Sequence, residues 1–164
     1  MRIDFDQMPD HARLWVYQAN RTLSATEQEV IQSQLQASFE EWAAHGQPLT
    51  NAVTVLQGRF VLLAVDEKAY AASGCSIDAS TRIIGQIGQQ AGIDFFDRSI
   101  VFKTEDGIDS VDGLKGKSAV KAGTIQHDTI IFNNQVKTVG EFRANWELPA
   151  SESWMKRFFV GVVS

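Results

Sequence analysis

Hydrophobic and polar positions follow two periods along this chain, and each change of period marks an element. The run "LWVYQA" at 14–19, rich in aromatic and β-branched residues, predicts a first strand. In "SATEQEVIQSQLQASFEEWAAHG", Ser24 is followed three residues later by Glu27, the spacing of a capping box. Ile31, Leu35, Phe39 and Trp42 then recur at four, four and three residues, one apolar stripe of a helix that Gly46 and Pro48 terminate. "NAVTVLQ" and "RFVLLAVD", parted by a turn near Gly58, read as an antiparallel hairpin. Its second strand is apolar from Phe60 to Val65 and is expected at the centre of a sheet.

From about Asp78 to Ala91 the pattern predicts a second helix, with Ile84, Ile87 and Ala91 on its buried stripe. Gly85, Gly88 and Gly92 lie beside that stripe. Interior glycines cost roughly 1 kcal/mol each relative to alanine, so the flattened face is expected to receive a backbone or a ligand closely. "RSIVFKT" at 98–104 completes the order strand, helix, strand, strand, helix, strand. That order is the ferredoxin-like βαββαβ sandwich of the α+β class, an antiparallel sheet with both helices on one face. The chain is read as a single domain over residues 1–164 with a C-terminal extension. In the extension, "EDGIDSVDGLKGKS" reads as loop, "SAVKAG" as a helical turn and "TIIFNNQVKT" as a hairpin over Asn133-Asn134. "TVGEFRANW" reads as a short helix, and Ser151 as the cap of a last one carrying Trp154, Phe158 and Phe159.

Composition narrows the partners. A chain of 164 residues buries a full core without disulfides, and its single cysteine fits a reducing compartment. No apolar run approaches the roughly 20 residues of a spanning helix, and "MRIDFDQMPDH" lacks the apolar region of a signal peptide. The expectation is a cytoplasmic protein with no membrane partner. Net charge is −5, and residues 1–97 hold 6 Lys+Arg against 12 Asp+Glu. Nucleic-acid binding draws on clustered positive charge, so it is not expected. The densest basic stretch, "KGKSAVK" with Lys115, Lys117 and Lys121, reads as a solvated loop.

Candidate chemistry centres on "SGCSID", with Cys75 at the opening of the second helix. Free amides and the dipole at a helix start favour a thiolate or another anion. Gly74 and the hydroxyls of Ser73 and Ser76 would add flexibility and donors, as Asp78 would add an acid. The competing reading is structural, with Ser76 or Asp78 as N-cap, Gly74 in the turn and Cys75 in a small apolar gap. A base for Cys75 would have to come from His45, expected at the end of the first helix, or from His127 beside Asp128. Asp66, at the end of the central strand, and Arg157, in the aromatic C-terminal segment, complete the candidate binding set. No ligand set at metal spacing is present, so neither metal nor cofactor is expected. Gly116-Lys117-Ser118 has the tail of a phosphate-binding P-loop, but Val111 stands where the first glycine belongs.

"MPDHARLWVYQ", "RFVLLAVDE", "SGCSIDAS" and "NWELPASESWMKRFF" together resemble a family of small Bacteroidetes proteins often labelled ABC transporter ATPases. The resemblance covers most of the chain. Its label implies ATP hydrolysis, whereas this chain has no intact P-loop and no LSGGQ-type signature, so no ATPase activity is expected. Three functions are carried forward. The first is a domain binding a small molecule or peptide between the "SGCSID" loop, Asp66 and the C-terminal segment. The second is a thiol-dependent hydrolase, transferase or redox enzyme using Cys75. The third is an interaction subunit or homodimer.

Overall fold

β1 (Arg13–Gln18) leads into α1 (Ala25–Phe39), whose start is fixed by the expected capping box. Ser24 Oγ accepts from the Glu27 amide at 3.1 Å, and Glu27 Oε1 accepts from the Ser24 amide at 3.0 Å. The apolar stripe runs on to Trp42, but the helix stops at Phe39. Residues 43–48 instead fold into a miniature hairpin of β2 (Ala43–Ala44) and β3 (Gln47–Pro48). His45 and Gly46 form its turn with φ of 51° and 76°. His45 therefore occupies a left-handed turn position rather than a helix end.

β4 (Thr50–Leu56) and β5 (Phe60–Asp66) make the expected hairpin. Three residues connect the paired Leu56 and Phe60: Gln57 and Gly58, with left-handed φ of 56° and 62°, and Arg59, whose amide donates to the Leu56 carbonyl at 3.1 Å. β1 pairs antiparallel with β5, giving the order β1-β5-β4. All six residues from Phe60 to Val65 are buried, as a central strand requires. Val61, Leu63 and Val65 pack with Ile31, Leu35 and Phe39 of α1 and with Ile84 and Ile87 of the next helix. The fold is of the α+β class.

That helix, α2 (Gly74–Ala91), starts four residues before the position expected from periodicity. A Cβ at Gly88 would lie 2.5 Å from the Ile93 carbonyl and 2.8 Å from the Phe95 ring, so the flattened face admits the returning chain. That chain meets the outer edge of β1, where the Gln18 amide donates to the Phe95 carbonyl and the Asp97 amide to that of Gln18. The contact is a single parallel bridge between Gln18 and Phe96. A ferredoxin-like layer would place an antiparallel fourth strand here; the stub stops at Asp97 and the expected strand pairs elsewhere. Further along the same edge, the Leu14 amide donates to the Lys137 carbonyl and Arg13 bridges Thr138.

The structure is a computed structural model describing residues 1–160. Its two compact units are Met1–Asp97 with Gln135–Ala144, and Arg98–Asn134 with the chain from Asn145 onward. In the second, β6 (Ile100–Thr104) pairs with β7 (Gly107–Val111) on one side and β8 (Ile130–Phe132) on the other. Ile100, Val101 and Phe102 are all buried, and a strand apolar on both faces is better satisfied at a sheet centre than on an edge. β7 falls in a segment expected to be loop, because its glycine and acids masked a polar edge strand. α3 (Gly116–Lys121) follows it. The hairpin over Asn133-Asn134 does not form; the chain returns to the first unit through Lys137 and α4 (Val139–Asn145). β8 instead takes β9 (Glu147–Pro149) as partner, giving the order β7-β6-β8-β9. A 3-10 helix at Trp154–Phe158 closes the unit, and its cap is Ser153 rather than Ser151. No helix among the described residues is long and apolar enough to cross a membrane.

Candidate functional site

The "SGCSID" segment is a helix start, not a loop before one. Ser73 is the N-cap of α2, and Ser76 takes the place that glutamate holds at the start of α1. Ser73 Oγ accepts from the Ser76 amide at 3.1 Å, while Ser76 Oγ accepts from the Ser73 amide at 2.7 Å and donates to the Ser73 carbonyl at 2.8 Å. Both hydroxyls are thus engaged within the cap, and Ser76 is buried. Gly74 is helical, and a Cβ there would meet nothing within 4 Å, so no close contact requires a glycine. Asp78 is exposed, past the capping position. Cys75 is an exposed free thiol in the first turn, not filler for an apolar gap.

Asp66 ends β5, where Oδ1 accepts from the Lys68 amide at 3.1 Å and lies 3.1 Å from His11 Nε2. Burial raises its carboxyl pKa, but the Lys68 amide, the hydrogen bond to His11 and the adjacent positive charges outweigh that and hold it below the ordinary range. Glu67 closes the connection to α2 by accepting from the Ala72 amide at 2.9 Å. Its other oxygen lies 3.8 Å from the Arg13 guanidinium, which sits 4.7 Å from the Trp15 ring centroid. Trp15 meets Trp42 edge to face at 6.3 Å, and Trp42 Nε1 donates to the Ser76 carbonyl at 2.9 Å. β1, the end of β5 and the first turn of α2 are joined by this chain of contacts.

Arg157 belongs to the second unit, with its guanidinium 4.9 Å from the Phe158 ring centroid. His127 and Asp128 are in that unit too, and the His127 ring lies 4.5 Å from the Phe159 ring. The P-loop-like glycine has a packing reason: a Cβ at Gly116 would come within 2.9 Å of the Phe158 ring and 3.0 Å of Ile100 Cδ1. No group of three His, Cys, Asp or Glu side chains among the described residues could hold a metal ion.

A feature that sequence reading missed lies along the other half of α2. Between α1 and α2 runs an open groove of about 320 Å³. Gln34, Ser38, Gln86 and Gln90 supply its polar groups, and Ala37, Ile83 and Ile87 its apolar floor. Ile83 and Ile87 are one turn apart, as are Gln86 and Gln90 and Gln34 and Ser38. That i, i+4 repetition was legible; the facing of the two helices that makes a groove of it was not.

No family model, curated protein or solved structure matches the chain.

The two regions of the first unit have different chemical capacities. The Ser73 cap spends its side chains on the helix and leaves a thiol exposed. The groove offers three carboxamides and a hydroxyl, able to donate and accept, and no charged group.

Proposed function

We propose that this chain is a binding domain for a small neutral molecule or a peptide segment, without ATPase activity. The groove between α1 and α2 carries the reading. Its volume of about 320 Å³ falls at the lower end of the range for ligand sites. Carboxamides beside isoleucines suit a ligand with its own amide groups and a modest apolar side, such as a peptide backbone. An uncharged lining offers a phosphate or carboxylate no counter-charge.

The test is a titration with N-acetylated, C-amidated alanine tripeptide, followed through backbone amide shifts of the isotope-labelled protein. Saturable shifts confined to Gln34, Ser38, Gln86 and Gln90 and their neighbours are expected, and Ala37→Trp, which fills the groove, should abolish them. Shifts that ignore the groove, or that survive Ala37→Trp, end the proposal.

Exposure of Cys75 in the first turn of α2 favours a second reading, thiol chemistry. Its signature is alkylation of the native protein by iodoacetamide at pH 6 faster than that of glutathione. A rate equal to or below that of glutathione removes this reading.

A further inference from the structure

The second unit carries a concentration of positive charge that the groove does not use. α3 supplies Lys117 and Lys121, Lys115 stands immediately before it, and the terminal 3-10 helix supplies Lys156 and Arg157. These two elements pack together: Gly116 abuts the Phe158 ring, and Ala119, Met155 and Phe159 share one buried cluster. The Arg157 guanidinium lies over the same Phe158 ring. Five cations therefore lie on or beside two elements that pack against each other.

All five are exposed, and none has an ion-pair partner among the described residues. The neighbouring acids in sequence are Asp112, whose carboxylate accepts from the Leu114 amide, and Glu152. Counting these and Asp128, next to the His127 that stacks on Phe159, the region carries two net positive charges in a chain of net charge −5. Beside the lysines, Leu114 is 95% exposed, the most exposed large hydrophobic side chain among the described residues. Its neighbours are Gly113, which abuts the Arg98 carbonyl, and Lys115.

We propose that this face docks on an anionic membrane surface, with the lysines and Arg157 at the headgroups and Leu114 entering the acyl boundary. A soluble polyanion would use the cations and leave the leucine unexplained. A bilayer uses both: anionic headgroups attract basic side chains, and one apolar side chain among them gains by leaving water. The half-buried Trp154, edge-on to Phe158 at 6.1 Å, is of the residue type that favours the interfacial layer. The docking is peripheral, needs no spanning helix and is independent of the groove.

The experiment is co-sedimentation of the full chain with vesicles of phosphatidylcholine alone, or of phosphatidylcholine and phosphatidylserine in equal parts, at low and high salt. Binding to the serine-containing vesicles only, weakened by salt, is expected. Each lysine near such a surface is worth about fivefold in partition, so the double variant Lys117→Ala and Lys121→Ala should lose roughly 25-fold. Leu114→Ser should weaken binding at both salt concentrations. Both variants alter exposed side chains, and matching circular dichroism spectra verify their fold. Equal sedimentation with the two vesicle types overturns the proposal, as does full binding by the lysine variant. Salt-sensitive binding to polyglutamate or duplex DNA without vesicle binding assigns the face to a soluble polyanion and likewise overturns it.

Discussion

Trp42 and Ser76 are joined by a buried hydrogen bond in which the indole Nε1 donates to a carbonyl in the first turn of α2 at 2.9 Å. The bond ties the segment after α1 to the start of α2. It explains why Trp42 is buried even though it lies beyond the helix whose apolar stripe it continues. We predict that Trp42→Phe, which keeps an aromatic ring and loses the donor, destabilises the chain by about 1–2 kcal/mol. Trp42→Ala should cost about 3–5 kcal/mol by emptying the site as well. Urea unfolding measures both, and a Phe variant as stable as the parent would show that the bond contributes nothing.

Two glycines of α2 should answer the same substitution differently. Gly88→Ala would press a methyl group into the Ile93 carbonyl and the Phe95 ring. The strain, about 1–3 kcal/mol, outweighs the roughly 1 kcal/mol gained in helix propensity, so a lower melting temperature is expected. Gly74→Ala meets open space and should leave stability unchanged or slightly raised. Equal responses at the two positions would contradict the packing described.

Acid should weaken the first unit through identifiable carboxylates. Hydrogen bonds from the Arg21 guanidinium, then from the Ser24 amide, lower the Glu27 pKa from 4.5 to about 2. Asp66 is lowered too, by the Lys68 amide and His11 against the opposing effect of burial. Both groups hold their protons more weakly in the fold than in the unfolded chain. Their stabilisation is therefore complete above the ordinary carboxylate range and is lost as pH falls, for Glu27 between about 4.5 and about 2. Glu27→Gln should make stability less dependent on pH across that window, seen as a smaller shift in urea midpoint. An unchanged slope would remove Glu27 from the account.

Cys75 should take up one equivalent of iodoacetamide in the native protein without denaturant, because its side chain is exposed. Intact-mass spectrometry reads the result. A thiol that labels only after unfolding would contradict its position on the surface of α2.

ATP should give no saturable signal in isothermal titration. Gly116-Lys117-Ser118 opens a six-residue helix, and its glycine is taken up by contact with Phe158 and Ile100. Saturable binding lost in Lys117→Ala would restore a nucleotide reading.

Features written in contiguous residues were legible in the sequence. Ser24 and Glu27 announced the first helix, Gln57-Gly58 lay where the hairpin turn was expected, and the glycines of α2 marked a close approach. Harder to read was anything decided by a distant partner. α2 begins at Gly74 because two serines cap each other reciprocally, a weaker pattern than serine with glutamate. Residues 107–111 look like loop until β6 pairs with them, and the Asn133-Asn134 turn does not direct the chain back along β8 because β9 takes that place. The site divides the same way. Asp66 was found at its strand end, but its pairing with His11 joins residues 55 positions apart.

The outer border of β1 is completed by two stretches from opposite ends of an excursion, Phe95–Asp97 and Lys137–Thr138. A ribosome must therefore deliver the whole intervening segment before that border can close along its length. Until then the nascent sheet presents bare amides and carbonyls beside an apolar strand, a liability for mispairing with another chain. Cutting the polypeptide after Asp97 would make this temporary state permanent. The piece released would keep Phe95–Asp97 beside Gln18 but lack Lys137–Thr138, which cover Arg13 and Leu14.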